Sequence, residues 1–156
     1  MNTSDRSYGS SPGMSLDFQS VDFPMIEEFR RLDHLAEVYP STVDKKTNEG
    51  EEDVRLCNYK EVYDNETVNN ELDFMEATAS PSKIEKFSLK SGDILLTKDS
   101  ESWDDIGVPA FVPEDLPGVL CGYHLFVVRP DPNKVHPYFL YWALASRLLA
   151  FQFERD

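Results

Sequence analysis

The stretch Leu89-Lys90-Ser91-Gly92-Asp93-Ile94-Leu95-Leu96-Thr97-Lys98-Asp99-Ser100 constrains the fold of this chain more than any other. Ser91-Gly92-Asp93 is turn chemistry: glycine takes φ > 0 at little steric cost, and aspartate bonds nearby backbone. Ile94, Leu95 and Leu96 then form a short apolar run, the pattern of a buried strand entered from a tight turn. The reading places Asp93–Thr97 in a central strand. Past Thr97 the polar run Lys98-Asp99-Ser100-Glu101-Ser102 reads as a loop. A core strand therefore delivers a polar loop to the surface, where recognition groups usually sit.

At 156 residues the chain favours one domain with a real core. Its net charge is −14, with the acidic excess spread along the chain. Such charge serves solubility, and it opposes non-specific binding to phosphate, which draws on Lys and Arg displacing counterions. Cys57 and Cys121 sit in apolar, strand-like runs and read as small buried hydrophobes. Two cysteines make no disulfide framework, and no Cys/His cluster has zinc-ligand spacing. No run of ~18 apolar residues suggests a membrane span. The Ser/Gly-rich start lacks the pattern of a secretory signal, so a cytoplasmic protein is expected.

Residues 1–22 read as a flexible arm and 23–156 as the folded domain. Met25, Ile26, Phe29, Leu32 and Ala36 recur at helical spacing after Pro24, with a short strand at Ala36–Tyr39 as the alternative. Val54–Tyr59 reads as a strand. The stretch 60–79 is polar, with Tyr63, Val68, Leu72, Phe74 and Met75 as anchors. Pro81–Phe87 reads as one or two helical turns. Pro109–Pro113 is a short strand fenced by prolines and expected at an edge, and Gly118–Arg129 is the longest strand signal. His136–Phe153, with Pro137 at its start, is the strongest helix and carries a wide apolar surface. The order predicts an α+β fold, a mixed and largely antiparallel sheet flanked by helices, without regular βαβ alternation.

The chain has no G-x-S-x-G elbow, H-E-x-x-H, phosphate-binding glycine loop or C-x-x-C. A Ser–Lys dyad can be drawn from Ser91 or Ser100 with Lys98. Nothing in the sequence fixes its hydrogen bond or an oxyanion site. Asp104-Asp105 reads as solvated loop, and His124, inside an apolar run, as a structural histidine rather than a base reader or ligand.

Four blocks in order carry a resemblance. Val54-Arg55-Leu56-Cys57-Asn58-Tyr59-Lys60-Glu61-Val62-Tyr63 is similar to the first strand block of target recognition domains in type I restriction–modification specificity (S) subunits. Ile84-Glu85-Lys86-Phe87-Ser88-Leu89-Lys90-Ser91-Gly92-Asp93-Ile94-Leu95-Leu96-Thr97-Lys98 resembles that family's short helix and K-x-GD-I-L-x-T strand. Tyr123-His124-Leu125-Phe126-Val127-Val128-Arg129-Pro130 resembles its H-L-x-x-(I/V)-R-P strand. Pro137 to Ser146 resembles the P-x-F-L-x-x-x-L-x-S helix that follows. The similarity covers roughly residues 31–156. The family's next Gly/Thr-rich loop, final strands and spacer helices have no counterpart, so the resemblance is to a truncated, first-domain-like fragment.

The resemblance implies a non-catalytic component that recognises double-stranded DNA and directs methyltransferase (M) and restriction (R) subunits. S-adenosylmethionine, ATP and magnesium would belong to those partners, and no cofactor to this chain. The major groove is read by paired donors and acceptors, Asn toward adenine and Lys or Arg toward guanine. Asn58, Lys60, Lys98 and Ser100 end strands beside loops and are candidate DNA-binding residues, with Tyr59 packing on sugar or bases. Trp103 and Tyr123 can do the same, though core packing suits Tyr123 better. Two other readings stay open: a remnant or protein-interaction module without independent DNA binding, and a Ser–Lys peptidase-like fold.

Overall fold

The computed structural model describes residues 31–99 and 105–146. One helical turn, α1 (Leu32–Leu35), leads into β1 (Ala36–Pro40). There follow β2 (Glu52–Cys57), α2 (Tyr59–Tyr63), β3 (Met75–Ala79), α3 (Pro81–Phe87) and the two-residue β4 (Ser88–Leu89). The chain continues through β5 (Ile94–Thr97), β6 (Pro109–Phe111), β7 (Leu116–Cys121), β8 (Leu125–Pro130) and α4 (Pro137–Ala145). The strands form two four-stranded sheets, β1-β8-β5-β6 and β3-β2-β7-β4. The first is antiparallel throughout; the second contains one parallel pair, β2 with β7. This is the expected α+β architecture with a largely antiparallel sheet content, divided between two sheets.

Alternation along the strands builds the core in three layers. Leu95 of β5 and Leu125 and Val127 of β8 meet Cys57, Val119 and Cys121 between the sheets, with Val62 of α2 and Val68 beside them. Ile94, Leu96 and Val128 point to the other side of the first sheet, where Leu140 and Tyr141 of α4 cover them. Val54, Leu56 and Leu120 point away from the first sheet and pack with Phe87 and Ile84 of α3. Every residue of β5 is buried, as its place between β8 and β6 requires. The period-2 swing of side chains thus lets one short strand serve two apolar layers.

The turn before β5 is held by charge. Asp93 is 1% exposed. Its carboxylate accepts two bonds from Arg129 of β8, Nε to Oδ1 and Nη2 to Oδ2, both at 2.8 Å. Oδ2 also accepts the Lys90 backbone N–H at 2.9 Å, and Arg129 Nη2 donates to the Ser88 carbonyl at 3.1 Å. The hydrogen bonds to Asp93 raise the Arg129 pKa, so the guanidinium stays charged. Gly92 lies at φ +90°, and a Cβ there would come within 3.3 Å of Pro137 at the start of α4. The Gly-Asp turn, the Arg-Pro strand end and the helix start are therefore one packed unit.

Several expectations are corrected. The helix expected to run to Ala36 is replaced, from Ala36 on, by β1, the strand alternative: Ala36 to Pro40 pair residue by residue with Pro130 to Phe126. The residues before 31, including the arm and the Pro24 helix start, lie outside the described residues. Tyr59 opens α2 instead of ending a strand, because Asn58 takes the N-cap position and its backbone N–H is accepted by Glu61 Oε2 at 2.7 Å. The single strand expected at Gly118–Arg129 is two strands in different sheets, broken at Gly122-Tyr123-His124 by a turn in which Leu125 N–H donates to the Gly122 carbonyl. Asp93 precedes its strand. Of the helix expected over His136–Phe153, α4 spans Pro137–Ala145, Ser146 is extended with its hydroxyl donating to the Ala143 carbonyl at 2.7 Å, and residues 147–153 lie outside the described residues. Of the anchors named for 60–79, Val68 and Phe74 are buried but Tyr63 and Met75 are exposed. Among the described residues no helix is long and apolar enough to cross a membrane.

Candidate nucleic-acid interface

Four strand ends and one turn meet at one end of the two sheets. Because β2 and β7 are parallel, they finish side by side, with Cys57 opposite Cys121. Gly122 N–H extends the pairing by donating to the Cys57 carbonyl at 2.8 Å. β5 runs antiparallel to β8, so Thr97 faces Leu125, and Lys98 N–H donates to the His124 carbonyl at 2.9 Å. The exit of β1 joins them, with Ser41 N–H bonded to the Leu125 carbonyl and Tyr123 N–H to that of Val43. The start of β3 lies there too, Met75 opposite Leu56.

This rim gathers four of the five candidate residues. Asn58 caps α2, with Nδ2 3.9 Å from the Met75 sulfur. Tyr59 stacks on Tyr63, ring centroids 5.4 Å apart at 15°, and the Tyr63 hydroxyl donates to Asp105 Oδ1 at 2.9 Å. Lys60 is exposed on the first turn of α2. Lys98 leaves the end of β5, its side chain 27% exposed and its Nζ 3.6 Å from Asp99 Oδ2. Ser100 and Trp103 lie outside the described residues. Tyr123 is exposed instead of core, and its ring lies 3.7 Å from that of His124.

Sequence reasoning missed two members of the rim. His124 is not an enclosed structural histidine; it stands in the β7–β8 turn, with Nδ1 3.3 Å from Asp99 Oδ2. Asp99 thus touches both His124 and Lys98. Reading 118–129 as one strand hid the turn. Gly122 was the available signal, since it interrupts an otherwise apolar run.

Gly122 also explains how the rim is held together. A Cβ at that position would lie 2.9 Å from Asn58 Oδ1 and 2.9 Å from the Cys57 carbonyl. Gly122→Ala is expected to push the β7–β8 turn off the β2–α2 junction. The predicted loss of stability is about 1–3 kcal/mol, the range for overpacking, read as a lower urea midpoint at unchanged slope. NMR shifts of Asn58 and Lys60 should move with it.

This rim carries groups of mixed charge and hydrogen-bonding type. It offers an amide, two ammonium groups, an imidazole and stacked phenols at the surface, balanced by Asp99, Asp105 and Glu61. Among the described residues no cluster of His, Cys, Asp or Glu is arranged to hold a metal ion. Ser91, one of the serines considered for a dyad with Lys98, instead donates its hydroxyl to the Pro113 carbonyl at 3.1 Å, on the turn that enters β5. Cys57 and Cys121 are buried free thiols, and burial pushes both above the usual thiol range, which disfavours the thiolate.

The fold is two packed sheets with flanking helices and a polar rim at the strand ends. No protein-family model matches the chain, and no curated protein matches it in sequence. Among solved structures it is similar to the crystal structure of the HsdS subunit from Thermoanaerobacter tengcongensis, at 14% identity and a TM-score of 0.52. That match covers 79% of this chain and 27% of the HsdS chain. A second chain, from a structure describing complex assembly and conformational transition of the type I R-M system, has 15% identity and a TM-score of 0.49, covering 73% of this chain and 26% of its own. The chain therefore spans about a quarter of the solved chains it matches. The likeness is one of fold.

Proposed function

We propose that this chain recognises a DNA sequence as a component of a type I restriction–modification specificity subunit. In this reading it is non-catalytic. It directs methyltransferase and restriction subunits, to which S-adenosylmethionine, ATP and magnesium belong. The observation that carries the reading is the convergence of Asn58, Tyr59, Lys60 and Lys98 on one rim of a fold shared with HsdS. Asn58 and the two lysines bear the donors and acceptors that major-groove edges accept, and the Tyr59–Tyr63 stack offers a flat face to a sugar or base.

The net charge of −14 limits what the chain does alone. Its field repels phosphate, so the isolated chain is expected to bind DNA weakly at physiological salt. In complex with methyltransferase subunits it should bind with sequence preference. Lys60→Ala and Lys98→Ala should then lower affinity. A base-reading lysine relaxes preference at one position by roughly 1–3 kcal/mol, whereas a phosphate contact weakens all sequences alike and flattens the salt slope. Titrations of the complex against a randomised duplex library at two salt concentrations separate these roles. If both variants match the wild type on every sequence, the two lysines do not contact DNA.

A second reading, a protein-interaction module without independent DNA binding, is favoured by the same charge and by α4. Phe139 and Trp142 on that helix are 66% and 53% exposed, although Leu140 and Tyr141 beside them are buried. A complex that forms but shows no preference across the library would select this reading.

A further inference from the structure

His124 is held at the rim through both its backbone and its ring. Its carbonyl accepts the Lys98 N–H at 2.9 Å, and Leu125, the next residue, is fully buried. Its ring lies 3.7 Å from the Tyr123 ring at 40°. Its Nδ1 faces Asp99 Oδ2 at 3.3 Å, with the side chain still 34% exposed. A carboxylate only accepts, so the neutral imidazole carries its proton on Nδ1 and presents a lone pair at Nε2. Nε2 has no hydrogen-bond partner among the described residues.

We propose that His124 is a further base-reading residue of this chain, with Nε2 as an acceptor for an exocyclic amine in the major groove, and that Asp99 is its positioning residue. The proposal rests on the DNA-recognition reading. Adenine N6 and cytosine N4 are the groove groups that donate, so the base read is one of these two. Asp99 also lies 3.6 Å from Lys98 Nζ, so one carboxylate contacts both side chains.

The test uses the chain in complex with methyltransferase subunits and a randomised duplex library. His124→Phe keeps a ring against Tyr123 and removes Nε2; His124→Ala is the second variant, and a thermal melt of each verifies folding. Preference for adenine or cytosine at one position should fall by roughly five- to tenfold, with the other positions unchanged. Asp99→Ala should relax the same position, and by less in the His124→Phe background, where only its contact with Lys98 remains to be lost, than in the wild type. Unchanged preference at every position in folded His124→Phe and His124→Ala, while Lys60→Ala or Lys98→Ala alters the profile, overturns the role of His124 and leaves the recognition reading standing. A uniform loss on all sequences with a flatter salt slope makes His124 a phosphate contact and also overturns it. A wild-type complex without any sequence preference removes both.

Discussion

A chain carrying Leu95→Asp is expected not to fold. Leu95 is fully buried in β5, between Val127 of β8 and Ala110 of β6, and belongs to the cluster that joins the two sheets. The new carboxylate would replace an apolar contact on every side, with no cation in that cluster to meet it. Burying an unpaired charge costs several kcal/mol even after relaxation, on top of the lost leucine packing. Domains of this size are stable by about 5–15 kcal/mol, so the single change consumes most or all of that margin. Circular dichroism during heating should show no cooperative transition. Cooperative melting near the wild-type midpoint would show that this strand is not the core of the domain.

The second large effect falls on the turn that feeds the same strand. Asp93→Ala leaves Arg129 without its bidentate partner, with only the Ser88 carbonyl, among the described residues, still accepting from the guanidinium. It also frees the Lys90 N–H that Asp93 Oδ2 accepts. Removing one member of a buried pair costs about 3–5 kcal/mol, because the other charge stays behind. Urea unfolding should show that loss at unchanged slope. Replacing both partners, as in Asp93→Leu with Arg129→Met, should recover part of it, since no charge is then stranded. A double variant as unstable as Asp93→Ala would mean that the Gly-Asp turn, and not the ion pair, carries the effect.

The legible parts of this fold are those whose reasons are local. Ser91-Gly92-Asp93 followed by Ile94-Leu95-Leu96 gave the turn and the central strand, because φ > 0 and an apolar run are written in consecutive residues. Pro81–Phe87 and the edge strand at Pro109 were equally readable, since proline punctuates both. What could not be read depends on partners distant in sequence. Ala36–Pro40 is a strand because β8, some ninety residues on, pairs with it. The break at Gly122 is invisible in a run of apolar residues until β2 is placed beside β7, when the Cys57 carbonyl and Asn58 leave no room for a Cβ. The candidate site follows the same rule. Asn58 and Lys98 were identifiable as polar residues just past strand ends, whereas Lys60, expected at a strand end, lies on the first turn of α2, and His124 and Asp99 became partners only once the β7–β8 turn met the end of β5.

The most direct measurement of the central claim is a structure of this chain, within its methyltransferase complex, bound to a duplex carrying the site selected from the library. The rim is predicted to enter the major groove. Asn58, Lys98 and His124 should lie within hydrogen-bond distance of base edges, Tyr59 should lie against the sugar or a base, and α4 should face away from the DNA. A duplex lying on α4 or along the outer face of β3, with the β2–α2 junction and the β7–β8 turn in solvent, would contradict the account.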